Sequence, residues 1–343
     1  MSSAFPPGKS MPTSSTAEAA GVHEFVAARD YTALALTLGL IGALLCATFV
    51  PAYLRFVLEL ALANGLVAMG LMVLMRAGLV SFGQGLYFCI GGYTAALAGT
   101  ALGVRDVFAL LAMGAAVCAL VGFLCGLLIA RYREIFFAML TLAFTMVLYG
   151  LLVNNERLGS TDGYNVLPAR FFASELSPDK FQLALFVLTC ALVYVVALGL
   201  DRYLRSPMGY LGEAIRENEL RVEYLGASVR RLVLIKYVIA GALAGLGGVL
   251  TALAVGHVDP DLANWTTSGE FLFMALLGGI EHVGAPLLGA IILGVVRSYA
   301  LEYVPYLWQM MLGATMLAII VFLPDGLWSI MKRRQKVGKT VGI

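Results

Sequence analysis

The polar residues best placed to do chemistry in this sequence lie beside two glycine-rich breaks in otherwise apolar segments. The first break spans residues 78–85, and the apolar run LYFCIGGYTAAL follows it. The candidate residues, which carry hydroxyl or amide groups, are Ser81, Gln84, Tyr87 and Tyr93. Backbone that leaves the helix at membrane depth is tolerated only where protein buries it or where it lines a wet cavity. We therefore predict that these side chains line a path for a small substrate.

The second break spans residues 278–286 and contains Glu281 and His282, which could relay a proton along the same path. A charged pair at the cytoplasmic end of a helix is the alternative interpretation. The two breaks align loosely: Gly78, Gly83, Leu86 and Ile90 against Gly279, Gly284, Leu287 and Ile291. Interrupted segments at corresponding places in two halves of a chain indicate a transporter's substrate path. Close helix packing is the alternative role of glycine, and we assign it to Gly241, Gly245, Gly247 and Gly248.

The composition is that of a polytopic membrane protein. The chain of 343 residues is 60% hydrophobic and 13% charged, whereas soluble proteins are about 45–50% apolar and about 25% charged. The cysteines lie in apolar runs without a CxxC pair, and the histidines are far apart. We therefore predict no disulfide and no metal site. No nucleophile lies beside a base in a catalytic context, so we predict that the chain is not an enzyme.

A nucleotide site is not expected either. Gly338-Lys339-Thr340 does not complete a phosphate-binding loop, because Arg333 stands where that loop requires its first glycine. The segment also follows no predicted strand. We predict that the chain itself binds no cofactor.

The apolar segments fit an all-α polytopic fold, because a helix needs about 20 apolar residues to cross a membrane. Segments of suitable length are residues 33–52, 56–75, 85–102, 107–130, 135–153, 181–200, 233–255 and 306–323. Region 270–304 lies between the last two of these and is interrupted at GGIEHVGAP. Counting it as two short crossings gives about ten in total.

Basic residues give the orientation of these crossings. The C-terminal tail, the loop 201–232 and the turn at 131–133 are rich in Lys or Arg, so we predict that all three are cytoplasmic. The loops 154–180 and 256–269 have balanced charge or no basic residue, and we place them outside. An odd number of crossings must then follow the second outside loop, and the interrupted region provides it.

Three parts follow one another along the chain. Residues 1–30 are rich in Ser, Pro, Thr and Ala, and we predict a disordered cytoplasmic tail. Residues 31–330 form the membrane domain, and residues 331–343 form a basic cytoplasmic tail. The first apolar run has no clear small-residue cleavage site. We therefore predict that it is retained as a span of a multi-pass membrane protein, with both termini in the cytoplasm.

Several ionisable residues lie in or beside the apolar segments, where an uncompensated charge is costly. Arg76 and Lys236 fall near cytoplasmic ends, so we predict that their side chains extend to the membrane interface. Glu270 suits the first turn of a helix, where a carboxylate is favoured. Glu59 has no evident partner in the sequence.

The longest charged interruption, residues 201–232, is predicted to contain one helix. Ser206 and Pro207 favour its start, and Gly226 favours its end. The apolar residues at helical spacing, which would share one face, are Leu211, Ile215, Val222 and Leu225. A solvated helix between two spans is one interpretation. The other is a helix that offers this apolar stripe to a groove of a partner protein.

This loop and several further segments resemble a known family. The run SPMGYLGEAIRENELRVEYLGASVRRLVLIKYVIAGALAGLGGVL resembles the cytoplasmic loop and following helix of branched-chain amino-acid ABC importer permeases, of the LivH/LivM type and nearer to LivM. Similar motifs are VSFGQGLYFCIGGYTAAL, the helix TLAF with its loop GSTDGYN, LFMALLGGIEHVGAPLLGAII and FLPDGLW. Gln84 stands where the family usually has histidine, and Glu281-His282 replaces small residues. The resemblance therefore specifies the fold more closely than the substrate.

The resemblance implies a permease subunit of a bacterial ABC importer for branched-chain or related amino acids. In this family the central loop contacts the ATP-hydrolysing subunit, and the matching residues here are Glu213, Ala214, Ile215, Arg216, Glu217 and Asn218. The implied partners are cytoplasmic ATPase subunits that bind and hydrolyse ATP, a second homologous permease, a periplasmic substrate-binding protein and membrane lipid, but no nucleic acid.

Other functions stay open at this point. The same family could carry another small substrate, such as urea, an amide or an aromatic acid. A secondary carrier driven by protons through Glu281 and His282 is a different class, and a structural membrane scaffold is a third.

Overall fold

The structure, a computed structural model, describes residues 51–171 and 177–307. It also describes residues 37, 39, 40, 42, 310, 311, 313–315, 317, 321, 326 and 327. Both predicted tails (1–30 and 331–343), most of the predicted first span (33–52) and half of the predicted last span (306–323) lie outside the described residues.

The described part of the chain is mainly helical. Its α-helices are α1 (Ala52–Met75), α2 (Gln84–Ala101), α3 (Val107–Ile129), α4 (Glu134–Val153), α5 (Pro178–Leu204), α6 (Pro207–Glu217), α7 (Glu219–Tyr224), α8 (Val229–Val255), α9 (Trp265–Gly278) and α10 (Ala285–Tyr303). Two short strands are β1 (Tyr164–Asn165) and β2 (His257–Val258). Single 3-10 turns lie at Glu156–Leu158, Ser160–Asp162 and Pro260–Ala263.

Within this part, 6 helices are long and apolar enough to cross a membrane, namely α1, α3, α4, α5, α8 and α10. Helix α2 has 18 residues and α9 has 14. The prediction of an all-α polytopic protein is confirmed. The count of about ten crossings stays a prediction.

Helix α8 is the centre of the bundle and packs against α1, α2 and α3. Small residues on α8 and on the facing helix α2 allow the two helix backbones to approach closely. A Cβ added at Gly91 of α2 would lie 2.2 Å from the Gly245 carbonyl oxygen, and one added at Gly248 would lie 1.9 Å from the Phe88 carbonyl oxygen. The glycines of α8 are therefore packing residues, because a side chain at these positions would separate the helix backbones.

The loops group at two ends of the bundle. At one end, which we call the sheet end, β1 and β2 pair antiparallel, and a bridge joins Asp106 to Arg170. At the other end, the charged end, Arg133 pairs with Glu219, and Arg230 donates to the Leu127 carbonyl (3.0 Å). The sequence assigned the same loops to two opposite sides of the membrane. Which side faces the cytoplasm stays a prediction.

The region predicted to split does so at the second break. Helix α9 ends at Gly278 and α10 begins at Ala285. Gly279 between them has φ +99°, a conformation that favours glycine because glycine has no Cβ. The break between α9 and α10 thus depends on the local backbone conformation at Gly279.

The prediction of one helix in the central loop is wrong in one respect, since the chain forms two. Asn218 has an extended backbone (φ −162°, ψ 104°) that ends α6, and its side chain accepts from the Arg221 N–H to cap α7 (3.1 Å). Asparagine competes with the helix backbone for hydrogen bonds, which explains the interruption. The predicted start at Pro207 is correct, and Gly226 has φ +85°, as expected where a helix stops.

Candidate functional site: the first break and an adjoining cavity

Buried hydroxyl groups hold the first break inside the bundle. The backbone N–H of Phe82 donates to Thr141 Oγ1 (3.1 Å), and Thr145 Oγ1 donates to the Phe82 carbonyl (3.2 Å). The N–H of Gly85, in the first turn of α2, donates to Ser268 Oγ of α9 (2.9 Å). These bonds satisfy backbone groups that no helix satisfies, as buried polar groups require.

The N-termini of α2 and α9 meet at this break. Helix α9 begins directly after the 3-10 turn at Pro260–Ala263. A Cβ added at Gly85 would lie 3.0 Å from the Leu262 carbonyl oxygen. The chain between β2 and α9 therefore turns back from the sheet end into the bundle. Helix N-termini carry positive partial charge, so both termini favour electronegative groups in the same interior region.

A cavity of about 740 Å³ adjoins the first break and the start of α9. Its polar or charged wall residues are Asp261, Asn264, Thr266, Thr267, Glu270 and Arg297, and its apolar ones include Phe82, Trp265, Phe273, Met274 and Leu293. Glu270 Oε2 lies 2.6 Å from Arg297 Nη1, so an ion pair forms part of the wall. An apolar enclosure with a few polar groups is typical of small-molecule sites.

The residues predicted for the path lie behind this wall and not in it. Ser81, Gln84 and Tyr87 are completely buried, and Tyr93 is nearly so. Ser81 Oγ accepts from the Gly83 N–H (3.1 Å) and so shapes the break. Neither amide atom of Gln84 has a hydrogen-bond partner among the described residues. Phe82, which the prediction passed over, is the residue of this break that borders the cavity.

Tyr87 and Tyr93 lie deeper in the protein. The rings of Tyr87 and Tyr237 pack edge to face with centroids 5.7 Å apart. Tyr87 also lies under Gly241, where an added Cβ would come within 3.3 Å of its ring. Both tyrosines belong to the buried core of the bundle. Their contacts are those of packing residues.

The polar residues at the start of α9 were missed because the sequence placed 256–269 in an outside loop. A signal was present. Asn264 precedes an apolar run, as an N-cap residue does, and its side chain accepts from the Thr266 N–H. A helix that starts there would have brought the neighbouring threonines into the bundle.

The second break lies at the charged end, apart from the cavity. Arg76, at the end of α1, donates to the carbonyls of Ile280 and Glu281, both at 2.8 Å. Arg76 Nη2 also lies 3.5 Å from Glu213 Oε1 of α6. The predicted interface role of Arg76 is therefore incomplete, because its guanidinium joins the break to the central loop.

Glu281 and His282 border a small pocket of about 180 Å³ at this end, with Asp201, Arg205, Tyr210 and Glu213 among its other wall residues. Burial lowers the pKa of His282, and Arg205 and Arg76 act in the same direction against Asp201. The pair does not border the larger cavity. Of its two interpretations, the structure favours a charged pair at a bundle end.

Lys236 does not extend to the interface as predicted. It is completely buried on α8, and its Nζ lies 5.2 Å from the centre of the Tyr203 ring. A Cβ added at Gly212 of α6 would come within 2.5 Å of that Nζ. The ammonium group therefore lies beneath the central loop, where glycine leaves room for it.

Glu270 differs from its sequence-based interpretation. It pairs with Arg297 of α10 and is not a first-turn residue, since α9 begins at Trp265. Glu59 agrees with its interpretation, because it is buried on α1, only 2% exposed, and its Oε1 has no hydrogen-bond partner among the described residues.

The apolar stripe of the central loop faces inward. Ile215 and Val222 are 3% and 1% exposed and belong to the protein's own core, so they offer nothing to a partner. Leu225 is 77% exposed and lies off that face, because the interruption at Asn218 changes the helical phase. The large apolar side chains that this loop does expose are Met208, Tyr210, Leu220, Tyr224 and Leu225. The prediction that this stripe faces a partner is wrong, and the exposed apolar side chains form a different surface that a partner can reach.

The residues matched to the family's coupling helix are likewise divided between buried and exposed positions. Ile215 is buried and Ala214 is half-buried, whereas Glu213, Arg216, Glu217 and Asn218 are exposed. The charged residues of this group can therefore reach a partner, and Ile215 can only support them.

These features define a polytopic helical membrane protein with a mainly apolar cavity that carries a few polar and charged groups. The family model described as branched-chain amino acid transport system / permease component matches residues 53–320, and the chain belongs to this family.

Curated relatives agree with that membership. The chain is 30% identical over 273 residues to the high-affinity branched-chain amino acid transport system permease protein LivM of Escherichia coli, which covers 73% of this chain and 64% of the relative. LivM of Salmonella typhimurium gives the same identity and coverage. LivH of Salmonella typhimurium is 24% identical over 76% of this chain and 90% of its own length. The chain thus spans less than two thirds of the LivM relatives. No solved structure matches the chain.

Proposed function

We propose that the chain is the membrane-spanning permease subunit of a bacterial ABC importer and that it forms the path for branched-chain or related amino acids. The observation that carries the proposal is the cavity with a few polar and charged wall groups beside the first break, in a chain of this permease family. The names of the relatives supply the substrate class. The chain has no enzymatic step in this proposal.

The path runs through the cavity, along the wall formed by Phe82, Asn264 and the start of α9. Ser81 and Gln84 support the wall from behind, and Tyr87 and Tyr93 pack the helix that carries it. Glu281 and His282 act at the charged end in this proposal. The proton-driven carrier depended on a proton relay inside the path, and this proposal places no such relay there.

The charged end is the proposed docking surface for cytoplasmic ATPase subunits, which bind and hydrolyse the ATP. Glu213, Arg216 and Glu217 present charge there, and the exposed side chains of Leu220 and Tyr224 present apolar area. Movement of α6 would reach the bundle through the Arg76 contacts with Glu213 and the second break. ATPase-driven motion of this loop would then open and close the path.

The other proposed partners are a second homologous permease and a periplasmic substrate-binding protein, which delivers substrate at the sheet end. The proposed location is the bacterial inner membrane, with multiple crossings and both termini in the cytoplasm. Membrane lipid surrounds the apolar outer faces of α3 and α4, where Phe123 and Phe136 are exposed.

The test begins with purification of the tagged protein from its native membrane, followed by mass spectrometry. We expect a nucleotide-binding subunit and a second permease to co-purify. In liposomes the complex should take up leucine only with ATP and the binding protein. Uptake that survives ATP depletion but stops with a protonophore would overturn the proposal in favour of a secondary carrier. ATP-dependent uptake of urea, an amide or an aromatic acid, without leucine uptake, would overturn the substrate class.

The docking surface has its own test with a matched control. Leu220→Asp combined with Tyr224→Asp should release the ATPase subunit, because both side chains are largely exposed and a carboxylate there leaves the fold intact. Leu102→Asp is the control, since Leu102 is 66% exposed at the sheet end. Retention of the ATPase by the double variant would refute the assignment.

A further inference from the structure

Among the ion pairs described at the bundle, the one formed by Glu270 and Arg297 lies in the cavity wall. It joins α9 to α10 with Glu270 Oε2 and Arg297 Nη1 2.6 Å apart. The glutamate side chain is 21% exposed and the arginine side chain is 41% exposed. Both groups also belong to the cavity lining. The two charges are thus joined to each other and are also accessible from the cavity.

A pair in this position contributes little to stability alone. Both side chains are partly exposed, so water screens their attraction and the pair adds little to the fold. Charged groups inside membrane spans commonly mark a substrate route. The rest of the wall is mostly neutral or apolar at this point, through Phe273, Met274 and Leu293.

We infer that Glu270 and Arg297 are the specificity-determining residues for a zwitterionic solute, whose ammonium group faces Glu270 and whose carboxylate faces Arg297. The inference rests on the proposed function and adds to it the groups that recognise the substrate. A solute with both charges gives each partner a new counter-charge when it separates the pair. A solute with one charge gives a new counter-charge to one partner only, and a neutral solute gives none.

The surroundings of the pair fit the same solute. Asp261 also lies in the wall and adds a second carboxylate to it, which attracts an ammonium group. The hydroxyls of Thr266 and Thr267 lie in the wall as well, although Thr267 donates to the Asp261 carbonyl (3.0 Å). The apolar wall offers contact to an aliphatic side chain. Urea and simple amides, which carry no charge, match this arrangement poorly.

A purely structural tie between α9 and α10 is the competing explanation. It predicts that loss of either charge weakens the fold and affects all ligands alike. Recognition predicts opposite changes for the two variants. Glu270→Gln removes the negative charge of the pair and so favours an anion, and Arg297→Gln removes the positive charge and so favours a cation. Glu270→Gln keeps side-chain length and hydrogen-bonding capacity, whereas Arg297→Gln gives a shorter side chain that still donates hydrogen bonds.

The experiment compares three ligands of the same carbon skeleton on the purified complex by saturation-transfer NMR, which detects weak binding. They are leucine, 4-methylpentanoate without the ammonium group, and 3-methylbutylamine without the carboxylate. The unaltered complex should bind leucine best. Each variant should lose leucine affinity by roughly tenfold or more. Glu270→Gln should gain relative preference for the acid, and Arg297→Gln should gain it for the amine.

The control variant is Asp201→Asn, which breaks a comparable pair at the charged end, where Arg205 Nε lies 3.0 Å from Asp201 Oδ2. It should keep the ligand order of the unaltered complex. Equal weakening of all three ligands in both cavity variants would overturn the inference, and so would an unaltered complex that transports leucine but gives no leucine signal. ATP-dependent leucine uptake is measured on the same preparation, so failure of the proposed function is recognised separately.

Discussion

The two glycine-rich breaks look equivalent in the sequence and are held in different ways in the structure. In the first, neutral hydroxyls of Thr141 and Ser268 bond the backbone N–H groups of Phe82 and Gly85. In the second, the guanidinium of Arg76 bonds two carbonyls. Neutral partners suit a break that is buried in the bundle, whereas a charged partner suits one at its end. The partners of a break, more than its glycines, therefore indicate its depth and its role.

The largest effect that would sharpen this comparison is expected at Gly278 of the second break. A Cβ there would lie 2.0 Å from the Ala285 carbonyl oxygen, which is backbone and cannot move aside. Gly278→Ala should lower the free energy of unfolding at the upper end of the roughly 1–3 kcal/mol typical of overpacking. Thermal unfolding in detergent measures it. Gly269→Ala on the same helix is the control, since nothing lies within 4 Å of its added Cβ. Equal melting temperatures would contradict the described turn.

A smaller effect is expected when the first break loses its hydroxyl partner. Thr141→Val leaves the Phe82 N–H without its acceptor and should destabilise the protein by about 1–2 kcal/mol. Hydrogen exchange of the Phe82 amide should rise more than exchange elsewhere. Thr94→Val is the matched control, because among the described residues the Thr94 hydroxyl bonds only the Ile90 carbonyl of its own helix (2.7 Å). If both variants exchange alike, the first break is not held from α4.

The smallest expected effect is a pH dependence at the second break. Burial lowers the pKa of His282 from its ordinary value of 6.5, so the unfolded chain binds the proton more tightly than the folded chain does. The stability that neutral His282 provides is complete above that value and declines as the pH falls below it. His282→Asn keeps an acceptor for the Gly284 N–H, which His282 Nδ1 accepts now (3.1 Å). The melting temperature of the variant should therefore fall less between pH 7.5 and pH 5.5. A constant difference between the two proteins would contradict this origin.

The sequence predicted the helices well because length, apolar content and glycine position are local properties. The split after Gly278, the start at Pro207 and the packing glycines of α8 all follow from such properties. The family also followed from contiguous motifs, and the match to residues 53–320 confirms it.

The cavity could not be predicted from the sequence, because its wall is formed by residues that are distant from one another in the chain. Phe82 and Arg297 line the same cavity only after α9 turns back into the bundle. Lys236 shows the same limit, since its position near a helix end predicted an interface side chain, whereas it is completely buried and its Nζ lies beneath Gly212 of α6. The inward face of Ile215 was likewise set by tertiary packing. Spacing gave no information on what the face shared by Ile215 and Val222 contacts, and it wrongly placed Leu225 on that face.

The pairing of β1 with β2 has a consequence for the order of assembly during synthesis. Asn165 and His257, whose side chains lie 3.0 Å apart, are separated by 92 positions in the chain. The ribosome must therefore complete α5, α6, α7 and α8 after Asn165 before its partner exists. The entropy of closing so long a loop rises only slowly with its length, so the delay is set by translation and helix insertion. The pairing of β1 with β2 can therefore form only after α8, the central helix of the bundle, has been synthesised.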